Sequence, residues 1–271
     1  MKGYDQQCDV WSFGVMLDEL IAGAPPYRSQ RREAASWCRT TRTPQTASCS
    51  PRASPRRRWS SSRSALLCTT TGTVVVDVTN PSNPIERGWF PFGSSSWRDC
   101  RTFGTYAYVV TESTSGFQVL DLSNPNSPVS LGTRGTSVTN NAHNVCVDTG
   151  AGRLYLVGTN AGTPVWDLNS NPSNPTYVGL AGGSGNSNYY HDLCVENGYF
   201  YGSMIYNGDL RISNAATFPP APLSNTGTPG NFTHNAWPNA AGTLCVTKEV
   251  AVRDKTLQDF ESQALNRQIA K

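Results

Sequence analysis

The chain has 271 residues, enough for one large β domain or two smaller ones, and is 37% hydrophobic and 15% charged. Ten of its 22 basic residues, all arginine, fall in residues 28–66 against one acid, Glu33, so the overall +3 hides a net acidic remainder. That balance argues against nucleic-acid binding by the folded part, and no run of 18 apolar residues is present to span a membrane.

Residues 1–27 carry an apolar run, with Val10, Trp11, Phe13, Val15, Leu17, Leu20 and Ile21 covering nearly every face of a helix over 9–22. Gly23 and Pro25-Pro26 end it. No basic stretch leading into an apolar run begins the chain, so no signal peptide is expected in it. Residues 28–72 read as a disordered basic linker, because Arg, Ser, Thr and Pro dominate without periodicity. Eight cysteines form no CxxC pair, which disfavours a zinc ribbon or redox motif. Disulfides and buried thiols both stay open.

From residue 73 to 250, short β-type runs alternate with Gly, Asn and Pro turns. The runs VVDVTNP, VLDLSNP and VWDLNSNP recur, placing Asp77, Asp121 and Asp167 at 44- and 46-residue spacings, with Arg211 in the equivalent place in a weaker fourth copy. A second signature recurs in phase: RDCRTFGTYAYVV, HNVCVDTGAGRLYLVG, HDLCVENGYFYGSM and HNAWPNAAGTLCVT. Two strands from each signature give four per period, the content of one propeller blade. The fold expected is mainly β: a partial or small β-propeller of four-stranded blades. Three full blades are predicted over 98–222. Residues 73–90 supply two outer strands and 234–247 two inner ones, which either complete one another or belong to an open arc. Residues 251–271 read as an amphipathic helix.

All three histidines of the chain, His143, His191 and His234, begin a repeat, and Arg98 holds the same place in the first. Each is followed by an acid or amide: Asp99, Asn144, Asp192 and Asn235. First strands line a propeller channel, so these eight residues should converge on one axis as a candidate ligand site. Imidazoles beside carboxylate and amide oxygens suit a divalent transition metal on His143, His191 and His234, or an anionic small molecule. The competing reading is structural: the rings bond the neighbouring blade's backbone, and Asp or Asn satisfies backbone amides. The strand aspartates and the aromatics Trp97, Tyr106, Tyr108, Tyr155, Tyr199 and Tyr201 read as architecture and packing. Asn231-Phe232-Thr233 is a glycosylation sequon, relevant only to an exported chain.

Two resemblances follow from these residues. Gly3-Tyr4, Asp9-Val10-Trp11-Ser12-Phe13-Gly14-Val15 and Glu19-Leu20 resemble the helix that follows the activation loop in the C-lobe of eukaryotic protein kinases. The Gly-rich loop, the strand lysine, HRD and DFG are absent, so phosphoryl transfer is not implied. Residues 73–250 resemble the LVIVD-repeat propellers of the choice-of-anchor B family, through Val76-Asp77-Val78, Asn80-Pro81, Leu120-Asp121-Leu122, Asn124-Pro125, Trp97-Arg98-Asp99 and the histidine openings. The resemblance implies an exported, surface-anchored protein without an assigned activity.

The combined expectation is a non-enzymatic propeller that binds a protein, glycan or small ligand at one face, without a resident cofactor unless a divalent metal. The joined kinase-like and propeller parts suggest a composite or truncated gene product. The basic stretch between them, if a genuine linker, suits RNA or an acidic partner. The alternatives are a kinase remnant without catalytic residues and a histidine-bound metal hydrolase, which would need an open coordination position.

Overall fold

In a computed structural model of the chain, residues 63–182, 185, 188–239 and 242–249 are described. The expected helices at 9–22 and 251–271 lie outside them. Seventeen strands form five antiparallel sheets in chain order. Blade 1 holds β1 (Ser64–Cys68), β2 (Gly72–Asp77) and β3 (Ile85–Pro91). Blade 2 holds β4 (Arg98–Phe103), β5 (Tyr106–Thr111), β6 (Phe117–Asp121) and β7 (Val129–Arg134). Blade 3 holds β8 (Asn144–Asp148), β9 (Arg153–Val157), β10 (Pro164–Asp167) and β11 (Thr176–Leu180). Blade 4 holds β12 (Asp192–Glu196), β13 (Tyr199–Met204), β14 (Asp209–Asn214) and β15 (Ala221–Gly227). Blade 5 holds β16 (Thr233–Pro238) and β17 (Cys245–Glu249). The three complete sheets over 98–222 stand where the period places them.

Two expectations change. The linker reading fails at its C-terminal end, where Ser64–Cys68 forms β1 and pairs with β2 from Ser64↔Asp77 to Cys68↔Thr73. The short apolar run SALLC was hidden by the Arg/Ser stretch before it, yet Leu66 is buried in the core shared with blade 2. The closing of one blade from the two chain ends also fails. Blade 1 has three strands and blade 5 two, in separate sheets, and together they exceed the four that one blade holds.

The turns explain the repeat. Asp77 Oδ1 accepts from Thr79 N at 2.9 Å, Asp121 Oδ1 from Ser123 N at 2.8 Å and Asp167 Oδ1 from Asn169 N at 3.2 Å. The asparagine of each Asn-Pro or Asn-Pro-like turn does the same one step later: Asn80 to Ser82, Asn124 to Asn126 and Asn171 to Ser173. Two successive side-chain-to-backbone turns therefore steer the last strand but one of blades 1 to 3 into the last. In blade 4 the equivalent residue is Asn214, not Arg211: Asn214 Oδ1 accepts from Ala216 N at 2.9 Å, and Asn214 faces Tyr199 as Asp121 faces Tyr106. The first hairpin of blade 4 turns through Asn197 and Gly198, both at positive φ (52° and 79°), the backbone that a tight two-residue hairpin requires.

The hydrophobic core lies between sheets. Tyr108, Phe117 and Val119 of blade 2 pack with Leu154, Leu156 and Trp166 of blade 3. Tyr155 and Val157 of blade 3 pack with Leu193, Phe200 and Met204 of blade 4. Main-chain acceptors stitch the same neighbours together: Tyr108 Oη donates to Pro172 O at 2.8 Å, and Arg153 Nη1 to Ala215 O at 3.1 Å. The innermost strands pack in succession, β4 on β8, β8 on β12 and β12 on β16. That succession brings the first residues of each blade to one end of one axis.

Candidate functional site

At the end of the axis where the inner strands begin, four rings form a ladder across blades. Trp97 lies 5.4 Å from His143, His143 4.5 Å from His191 and His191 4.0 Å from His234, each pair tilted by 47–54°. The convergence expected for the three histidines is present, with Trp97 as a fourth rung. Arg98 does not join. Its Nε donates to Thr69 O at 2.9 Å and its Nη2 to Gly93 O at 3.0 Å, turning the guanidinium back toward blade 1.

The acid or amide that follows each opening Arg or His ties neighbouring blades together. Asp99 Oδ2 accepts from Val145 N at 3.1 Å. Asn144 Nδ2 donates to His191 O at 3.0 Å. Asp192 Oδ2 accepts from Asn235 Nδ2 at 2.6 Å, while its Oδ1 takes Leu193 N at 2.8 Å. His191 Nδ1 reaches the main-chain oxygen of His234 at 3.1 Å, and His234 Nδ1 bonds Asn235 Oδ1. Acceptor and donor roles thus alternate along the strands, and most of the predicted ligand set serves as an inter-blade clasp.

Beneath the ladder lies Arg101, which the sequence did not single out. Its Nη1 donates to Asp99 Oδ1 at 2.6 Å and to Cys100 O at 2.9 Å. Burial opposes the Arg101 cation, but Asp99 and Asp192 outweigh it and hold its affinity for the proton above the ordinary value. Burial raises the Asp192 carboxyl above the usual range, against the pull of Asn235, Leu193 N and Arg101. Burial likewise pushes Cys146 well up and Cys194 up to about 12, so both remain thiols at neutral pH. Cys68, Cys100, Cys146, Cys194 and Cys245 are unbridged. Among the described residues no group of three or more His, Cys, Asp or Glu could hold a metal ion. The three imidazoles expected to hold a metal, His143, His191 and His234, stack on one another, and the Nδ1 of each meets a protein acceptor.

One pair departs from the clasp. His143 Nδ1 meets Glu112 Oε1 at 2.5 Å, with the imidazole 11% and the carboxylate side chain 36% exposed. A carboxylate can only accept, so Nδ1 carries a proton, and Nε2 accepts when the ring is neutral and donates when it is charged. Glu112 follows the second strand of blade 2 and reaches the opening of blade 3. It was missed because nothing in its spacing marks a contact across blades. Gly158, at φ +67°, makes room for this ring: a Cβ there would lie 2.5 Å from His143 Cβ. Beyond it, Tyr189 packs on Tyr206 at 5.1 Å. A cleft of about 220 Å³ on the same face is lined by Ser137, Val138, Thr139, Asn140, Asn160 and Ala161.

The family model described as LVIVD repeat matches residues 70–90 and 98–136. Those two stretches are similar to LVIVD repeats; they are the outer strands of blade 1 and the whole of blade 2. The chain is similar to solved propellers at low identity, which speaks to the fold alone. The β-propeller domain of Cps50 (Swd1) from Myceliophteria thermophila gives a TM-score of 0.51 at 9% identity over 70% of this chain and 63% of that one. The periplasmic gluconolactonase PpgL from Pseudomonas aeruginosa gives 0.50 at 11% identity, over 72% and 62%. A putative 6-phosphogluconolactonase from Bacteroides fragilis gives 0.51 at 11%, over 69% and 60%. The chain thus spans less than two thirds of each. The expectation that it is not an enzyme is corrected by these lactonases: proteins named for hydrolytic activity share its architecture, so the fold does not speak against catalysis. Among curated proteins, the serine/threonine-protein kinase SKM1 of Saccharomyces cerevisiae is 59% identical over 29 residues, 11% of this chain and 4% of the kinase. That match agrees with the kinase-like fragment.

Proposed function

We propose that the propeller is a ligand-binding module whose ligand docks at the face where Trp97, His143, His191 and His234 converge. An LVIVD-repeat propeller suits a binding or scaffold role, and this face is where its side chains are not consumed by the repeat. The observation that carries the reading is the Glu112–His143 pair. Asp99, Asn144, Asp192 and Asn235 each satisfy a strand or neighbouring side chain, whereas Glu112 is partly open to solvent and orients an imidazole beside an indole. A carboxylate that fixes a proton on Nδ1 leaves Nε2 to meet a ligand hydroxyl or amide, accepting from it when the ring is neutral. The half-buried indole of Trp97, 5.4 Å from the imidazole, stands beside it.

The test is a screen of mixed small fragments followed by the ring signals of the histidines and the indole signal of Trp97 in NMR spectra. The expected result is that binding fragments shift His143 and Trp97 together. Glu112→Gln, which keeps the shape but loosens the proton on Nδ1, should weaken those fragments severalfold. Shifts confined to the Asn-Pro turns at the other end of the blades would overturn the proposal.

A further inference from the structure

We infer that the cleft between residues 137–140 and 160–161 binds a neutral saccharide ring. The inference rests on the face assignment above and gives it a ligand class. The donors come from two loops of different blades. The loop that enters blade 3 brings Ser137, Val138, Thr139 and Asn140, and the hairpin between β9 and β10 brings Asn160 and Ala161. Gly116 N donates to Thr139 O at 3.2 Å and Ala142 N to Thr111 O at 3.4 Å, anchoring the first loop to blade 2. The hairpin is held by Thr159, whose Oγ1 donates to Gly162 O at 2.7 Å and accepts from Ala161 N at 3.1 Å. Thr139 Oγ1 is spent in the same manner on Asn141 O at 2.6 Å. The side chains of Ser137, Asn140 and Asn160 make no hydrogen bond among the described residues. Two carboxamides and a hydroxyl therefore point their bonding capacity at one small space between anchored loops.

The chemistry of that set selects the ligand. Carboxamides and hydroxyls each donate and accept, which matches sugar hydroxyls, themselves donors and acceptors at once. No Lys, Arg, Asp or Glu lines the cleft, so nothing there compensates the desolvation of a phosphate, carboxylate or ammonium. Its volume of about 220 Å³ falls below the roughly 300–1,000 Å³ of sites for drug-sized ligands. One ring, or the end of a chain, is the size that fits.

The full chain should be titrated with neutral hexoses and their short oligomers, with uronic acids, alkylamines and a proline-rich peptide as comparison ligands, following backbone amide NMR signals. The expected result is saturable shifts at 137–140 and 160–161 with the neutral sugars and weaker ones with the uronic acids. Asn160→Ala should weaken binding about tenfold, the loss of one well-made hydrogen bond. Asn140→Ala, at an exposed site that leaves the fold intact, should weaken it by a similar factor. Sugar binding unchanged in both variants would overturn the inference. Shifts at His143 and Trp97 from the comparison ligands, with none from sugars, would overturn the saccharide and leave the face assignment standing. Silence of the whole face toward every ligand would overturn both.

Discussion

The two ends of the blades are built on opposite terms. At the end carrying the Asn-Pro turns, blades 1 to 3 solve the same problem with the same residues: Asp77, Asp121 and Asp167 cap the last strand but one, and Asn80, Asn124 and Asn171 cap the next turn. At the histidine end only the inner-strand openings repeat. The loops between them differ from blade to blade, and they hold side chains the fold does not use, such as Asn140 and Asn160. Repetition marks what every blade needs to stand beside its neighbour. Departure from it marks what the molecule presents to something else.

If stability resides in the repeated parts, the largest loss should come from the interior that blades share. Phe200 is fully buried, 6.0 Å edge-on from Tyr155 and 5.1 Å from Tyr190. Phe200→Ala should lower the unfolding free energy by about 3–5 kcal/mol in urea titrations. A loss below about 1 kcal/mol would mean that the blades do not depend on their shared core. Next comes the clasp. Asp192→Ala strips the acceptor from Asn235 Nδ2 and Leu193 N, and should cost about 1–3 kcal/mol. No measurable change would move Asp192 from the architectural set to the unspent one.

The smallest effect tests the turn end through pH. Hydrogen bonds from Thr79 and Arg87 hold the Asp77 carboxyl down from the ordinary 3.8 to about 2. A lowered folded-state value means that the contribution is complete above 3.8 and is lost as pH falls toward 2. Asp77→Asn should flatten the acid limb of the thermal midpoint within that window and leave the neutral region nearly unchanged. A parallel acid limb in the variant would remove the turn aspartate from the account.

The architecture was legible because a period needs no long-range knowledge: the recurrence of apolar-Asp-apolar and of His-Asn/Asp placed three sheets and three converging imidazoles. The failures share a cause. β1 was lost because its five residues follow an arginine-rich stretch and have no recognisable first-strand partner in the sequence. Asn214 was overlooked for Arg211 because counting 44 residues on from Asp167 assumes a fixed period, whereas the equivalent turn residue lies further along the chain. Glu112 and Arg101 act across blades, on His143 and toward Asp192, and neither type of residue recurs from blade to blade, so the period did not point to them. The clasp roles of Asp99 and Asp192 were foreseen only as the duller of two readings, since a sequence shows a polar residue but not what satisfies it.

The clasp also carries a direction. Asp99 and Asn144 each reach forward along the chain to a main-chain group of the following blade, Val145 N and His191 O, whereas Asp192 reaches forward to the side chain of Asn235. A link that ends on main chain keeps its partner whatever residue the next strand carries. The Asp192–Asn235 link alone joins two side chains, so there a change on one strand asks for a matching change on the next.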